Sequence, residues 1–324
     1  MRTAFTDRYQ IEHPIASAGM GFISTPPLAA AVSNAGGFGV LANGGAPPEV
    51  TRRMIAATRQ LTDRPFGINF IVEKAMTTDA HIEACCDARP RVVSFHWNLP
   101  QRDWVHRLKS AGCDVWFQCS SIDIAHQAIA LGVDLIIAQS SEAGGHTRGE
   151  SAMMTLLPAM VHALGSVPVL AAGGIADGRG LAAALCLGAA GASVGTRFLA
   201  THESHAHDEY KRRVVESKEG DTQITHIFGP EWPDGRMRVL RNRVVREPDA
   251  KTPATIGKTV LGQHEYAMPK FSAILPIRET TGDFEEMCLA AGESAALIYS
   301  ISSAADVVWS MSEQAEATLS RLCP

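Results

Sequence analysis

The stretch SSEAGGHTRGE, residues 140–150, follows the apolar run DLIIAQ and carries the histidine best suited to chemistry. An imidazole titrates at about pH 6.5 in water, so His146 can exchange a proton near neutrality. Gly144 and Gly145 let the backbone wrap close to a ligand, and Glu142 or Glu150 could orient the ring. A solvated turn with an idle histidine accounts for the same residues equally well. Further along, AAGGIADG (171–178) and VGTRF (194–198) put glycines where the backbone must approach something closely. Backbone N–H groups and a helix N-terminus there would suit a phosphate, and relief of crowding at tight strand ends is the plainer alternative. His96 in SFHWNLP (94–100) is a second candidate for a pocket wall, unless it simply packs under its loop with Trp97. The histidines of THESHAHDEYK (201–211) lack ligand spacing and read as the polar start of a helix, so no metal site is expected.

Something must position these groups, and the chain repeats a strand-then-helix unit. Apolar runs bounded by Gly or Pro occur at 13–19, 37–42, 66–72, 91–97, 114–120, 134–140, 167–174 and 192–198. Each is short and apolar nearly throughout, as parallel strands buried on both faces must be. Helical spacing fills the gaps: Leu28, Ala31, Val32 and Ala35 share one face. Evenly spaced strand–helix units in this number predict a (β/α)8 barrel, with an open doubly wound sheet as the competing architecture. In a barrel, the loops after the strands build the active site. That places Gly19, Met20, Asn69, His96, Gln118, Gln139 through His146, Gly173, Gly174, Gly195 and Thr196 at one end. The barrel core is expected over 1–217, a lid or insert over 218–280, and C-terminal helices over 281–324. The lid has no strand-length apolar run. The tail is read as a helical appendage, with one helix starting at Asp283 as N-cap and Glu286 three residues on.

Bulk composition narrows the function class. The 324 residues carry a net charge of −5 with dispersed basic residues, which leaves no electrostatic footprint for nucleic acid. No window is apolar enough to span a membrane, and no export signal opens the chain. The seven cysteines form no C-x-x-C pair, so they read as reduced thiols of a soluble, cytoplasmic enzyme. GGFGV (36–40) precedes a strand instead of joining a strand to a helix, so it is no dinucleotide fingerprint.

HPIASAGM, FGINFIV, AQSSEAGGHTRGE, VPVLAAGGIADGRGLAAALCLGAAGASVGTRFLAT and AGESAALI follow one another in order. Together they resemble the nitronate monooxygenase (2-nitropropane dioxygenase) family, FMN-dependent barrels related to FMN-dependent enoyl-ACP reductases and NADH:quinone reductases. The resemblance implies that Gly19 and Met20 lie beside a flavin, that Asn69 hydrogen-bonds to it, and that Gln139 and Gly144 contact it from the sixth loop. It gives the FMN phosphate to Gly173, Gly174, Ser193, Gly195 and Thr196, and makes His146 the catalytic proton donor or acceptor. His96 and Gly145 are expected in the substrate pocket. Where several relatives carry a basic residue near the flavin, this chain has Gln118, and a neutral amide stabilises an anionic reduced flavin less. The implied activity is oxidation of alkyl nitronates or nitroalkanes with O2. The alternatives are an NAD(P)H-dependent reductase of a quinone or an enoyl thioester, and a non-redox barrel that binds a phosphorylated ligand. The oligomeric state is left open, with a homodimer as the arrangement to test.

Overall fold

A computed structural model of the chain describes residues 1–73, 76–229, 232, 235–251, 253–262 and 264–322. Cys323 and residues 230–231, 233–234, 252 and 263 of the expected lid lie outside these. Eight parallel strands form the barrel: β1 (Ile15–Ser17), β2 (Gly39–Ala42), β3 (Phe66–Val72), β4 (Val92–Trp97), β5 (Asp114–Cys119), β6 (Leu135–Gln139), β7 (Val169–Ala172) and β8 (Gly191–Val194). β8 pairs with β1 through Ile15 and Ala192. The ring closes where Ser17 N–H donates to Phe38 O at 3.0 Å and Phe38 N–H donates to Ile15 O at 2.9 Å. Helices cover the outside, and their apolar faces meet the outward strand residues in one large core.

The barrel interior is filled rather than hollow. Phe5 and Tyr9 of the N-terminal helix Ala4–Tyr9 pack against Phe38, Val40, Trp116 and Leu170. Trp116 Nε1–H donates to Tyr9 Oη at 2.6 Å, which satisfies both polar groups inside an apolar plug. That plug shuts the N-terminal end, so only the C-terminal strand ends are free to line a cavity.

Three expectations need correction. The eighth strand stops at Val194, and Thr196–Leu199 turns helical after Gly195, because an apolar run buried on all sides does not distinguish strand from helix. The region after 218 does contain strands. Thr222–Thr225, Met237–Leu240 and Gly145–His146 make one small antiparallel sheet, and Thr255–Leu261, His264–Pro269 and Thr281–Gly282 make another. These pieces are short and gain their burial from distant contacts, so no local run announces them. Apart from Gly145–His146 and Thr281–Gly282, the strands belong to the lid segment, while the tail keeps a long helix, Ala304–Leu322. The helix expected from Asp283 is also absent. Residues 286–291 are all buried, which one face of an amphipathic helix cannot provide, and the segment turns at 284–287 before Ala290 bridges Val239. Leu240 N–H donates to Leu289 O at 2.8 Å, and Asn242 Nδ2–H donates to Met287 O at 2.7 Å. Only a short 3-10 turn, Glu293–Leu297, follows.

Candidate active site

At the C-terminal ends of the strands lies a cavity of about 320 Å³. Its floor is built by the barrel. β1 leads into Gly19 and Met20, β3 contributes Asn69, β4 His96, β5 Gln118 and β6 Gln139. The sixth loop adds Gly144, Gly145 and His146, β7 runs into Gly173 and Gly174, and β8 provides Ser193 before Gly195 and Thr196. The residues expected to hold the cofactor, together with His96, Gly145 and His146, thus border the same space, whereas Ser140, Ser141 and Glu150 do not. No residue of the roof was singled out from the sequence, although Trp232, Met237, Ile274 and Leu275 fall in the segment 218–280 expected as a lid: with Phe22 and Met76 they close the cavity with apolar side chains, joined by Gly292 and Ser294. Only AGESAALI, quoted for its resemblance, hinted at the last two.

The sixth loop is held on both sides. Gln139 Nε2–H donates to His146 O at 3.0 Å. Gly144 lies against the 291–292 backbone so closely that a Cβ there would stand 2.4 Å from Gly292 N. The carboxylates expected to orient His146 do other work. Glu142 Oε2 accepts from Ser140 Oγ at 2.7 Å and from the Met153 N–H at 2.8 Å, capping the start of the helix Met153–Leu164. Glu150 is exposed and faces Arg236 at 3.4 Å. The loop turns Glu142 back onto its own helix, so the His146 ring is set by aromatic neighbours instead. Trp232 stacks on it with centroids 3.8 Å apart and planes at 26°, and Trp97 meets it edge-on at 5.9 Å. Trp97 has φ +88, a left-handed conformation rare for a bulky residue, and Arg148 sits over its ring at 4.1 Å.

Electrostatically the cavity is lean. Among the described residues no Lys or Arg lines it, and Glu142 is its one charged group. The side-chain amides of Asn69 and Gln118 make no hydrogen bond among the described residues and face the space. Burial pushes the His146 imidazole down to about 3, with His96 adding to the effect. Burial, helped by Arg148, pushes His96 down to about 4. Both rings border the cavity and are partly buried, so a charge on either would be poorly solvated. Each is neutral at pH 7, and Nε2 of His146 is buried without a partner.

This has a consequence for acid stability. Both folded values lie below the ordinary value of about 6.5 that the unfolded chain would show, so below that pH the unfolded state binds protons the folded state refuses. Stability is full above about pH 6.5 and is lost as the pH falls toward 4. Thermal melts followed by circular dichroism should show Tm dropping between pH 7 and 5. The drop should be shallower in a His96→Gln/His146→Gln variant, and equal slopes would show that these rings are hydrated.

The chain matches the nitronate monooxygenase family over residues 2–85 and 74–314. It is a member of that family. Nitronate monooxygenase family proteins are flavin-dependent oxidoreductases of small molecules, and this chain is an enzyme of that kind. Among its relatives, a (3aS,4S,5R,7aS)-5-hydroxy-7a-methyl-1-oxo-octahydro-1H-indene-4-carboxyl-CoA dehydrogenase of Mycobacterium tuberculosis is 39% identical over 250 residues, 76% of this chain and 68% of the relative. A nitronate monooxygenase of Pseudomonas aeruginosa is 35% identical over 269 residues, 69% of this chain and 77% of the relative. The solved structure of FabK from Thermotoga maritima superposes with a TM-score of 0.84 at 33% identity, covering 99% of this chain and 98% of that one. No helix among the described residues is long and apolar enough to cross a membrane.

Proposed function

We propose that the chain is an FMN-dependent nitronate monooxygenase, on one observation above all. A single cavity joins a glycine-lined end, at Gly173, Gly174, Gly195 and Thr196, to the neutral His146. The residues fit FMN. The N–H groups of Gly174 and Ile175 donate to no described residue and can take phosphate oxygens. A Cβ on Gly195 would meet nothing nearer than Ala18 at 3.6 Å and Met20 at 3.7 Å, so its glycine keeps the approach open. Gly19 and Met20 would border the ring system, Asn69 and Gln118 would offer it amide hydrogen bonds, and Gln139 and Gly144 would bound it from the sixth loop. Bound there, FMN would accept electrons from the substrate and pass them to O2. His146, with His96 and Gly145 beside it, would hold the substrate's nitro or nitronate oxygens. An anion next to the imidazole offsets part of the burial penalty on its charged form, so His146 can receive a proton when a neutral nitroalkane is ionised.

A second reading, NAD(P)H-dependent redox chemistry on a thioester, is favoured by the apolar roof and by the absence of a described cation to attract a small anion. The name of the Mycobacterium tuberculosis relative, a carboxyl-CoA dehydrogenase, also points to a coenzyme A thioester. Anaerobic stopped-flow mixing separates the readings. The FMN-loaded protein should bleach within seconds with an alkyl nitronate and far more slowly with NADH or NADPH. Bleaching by a reduced nicotinamide alone would transfer the assignment to the second reading. A preparation that binds no FMN would overturn both and leave the non-redox phosphate-binding barrel.

A further inference from the structure

His146 follows the sixth barrel strand, and among the described residues the barrel touches its ring only edge-on, through Trp97 at the end of β4. Two residues of the segment that follows the barrel pack against the ring more closely. The Trp232 indole covers one face of the imidazole at 3.8 Å, nearly parallel to it. Gly235 lies at the ring's edge, where a Cβ would stand 2.7 Å from Cδ2 and 2.9 Å from Nε2 of His146. Trp97 packs edge-on against both rings, 4.7 Å from Trp232 and 5.9 Å from His146. The strand pairing of Gly145–His146 with Met237–Arg238 ties the two segments together, and just before it the Gly235 N–H donates to Trp232 O at 3.3 Å.

We propose that Trp232 and Gly235 are positioning residues for His146: the indole sets the imidazole plane and keeps it dry, and the glycine leaves the space its Nε2 edge occupies. This rests on the reading of His146 as the group that handles the substrate's proton. The physical argument has two parts. Offset or near-parallel stacking holds a ring that has no hydrogen-bonded orienting carboxylate, since Glu142 and Glu150 are engaged elsewhere. The same contacts strip water from Nε2, which has no partner, and a dry imidazole disfavours its charged form. The titratable groups that share the cavity with the ring are His96 across it and Glu142 on the same loop, while Arg148 lies over Trp97. Glu142 is committed to Ser140 and the Met153 N–H, and His96 opposes a positive charge on His146. Hydration, controlled by Trp232, therefore dominates its protonation.

The test uses Trp232→Ala, Trp232→Phe and Gly235→Ala in the full chain, with the His146 ring titrated by NMR and assigned with His146→Gln. Alongside it, flavin reduction of the FMN-loaded protein is followed against pH. In Trp232→Ala the His146 midpoint should climb from below 4 to near 6, and the reduction rate should acquire an acid limb near pH 6 that the unaltered protein lacks. Trp232→Phe, which still stacks, should keep the low midpoint and the flat profile. Gly235→Ala should lower the limiting reduction rate at least tenfold with little change in KM, because the ring is displaced while the pocket persists. A His146 midpoint that stays below 4 in Trp232→Ala, or a Gly235→Ala protein with an unaltered limiting rate, overturns the proposal. If the midpoint moves as expected but His146→Gln turns over normally, the positioning role stands and the catalytic reading of His146 falls.

Discussion

His146→Ala is expected to give a folded, FMN-binding protein that oxidises neutral nitroalkanes about 10²- to 10⁴-fold more slowly, the range a positioned proton-transfer group contributes. The residue meets the cavity through its side chain, while its backbone is held by the Gln139 hydrogen bond and by strand pairing with Met237, neither of which alanine removes. The flavin site should therefore survive. Preformed nitronates, which need no deprotonation, should lose far less, only the contribution of a hydrogen bond to their oxygens. Steady-state rates on matched nitroalkane and nitronate pairs, with flavin content read from absorbance, make the comparison. Equal losses on both substrates would remove the base role and leave only a binding one. Removing the ring also relieves a buried nitrogen without a partner, so the variant should melt no lower than the parent despite the lost stacking.

Gly173→Ala should have the larger effect on the cofactor. Gly173 has φ +111, outside the comfortable range of any residue with a Cβ, and that Cβ would stand 2.4 Å from Ser140 Oγ and 2.8 Å from Ala143 N. Backbone strain of this kind costs about 1–3 kcal/mol before the collision is counted. Relief would push the seventh loop away from the sixth, breaking the Ser140–Glu142–Met153 chain that shapes the sixth loop. With the two loops apart, the proposed phosphate end of the cavity opens. FMN affinity should fall about 100-fold, as expected from ~2.7 kcal/mol, measured by flavin fluorescence titration. A circular dichroism spectrum like the parent's would show that the barrel itself persists. Unchanged FMN affinity would place the phosphate elsewhere.

These expectations show where the sequence was informative. The barrel was legible because its signal is local and repeated: each apolar run buried on both faces is a strand wherever it is met, and its neighbour in sequence is also its neighbour in space. The floor of the site followed from the same rule, since the residue just after each strand must reach the C-terminal face. Gly173, Gly195 and His146 could thus be placed together before any coordinate was known.

The residues of the roof and the state of the His146 ring were decided by tertiary structure alone. Trp232 and Gly235 act on His146 from far along the chain, on a segment with no periodicity to announce it. The irregular course of 286–291 contradicts a capping pattern that is locally persuasive, because burial on every side outweighs the propensity of Asp283 and Glu286 to begin a helix. Glu142, adjacent in sequence and chemically suited to orient His146, is claimed by the N-terminus of the next helix. Residue types and strand ends determined which groups meet in the cavity. Desolvation and stacking, which exist only after distant segments pack, decided that His146 is neutral, dry and held by an indole.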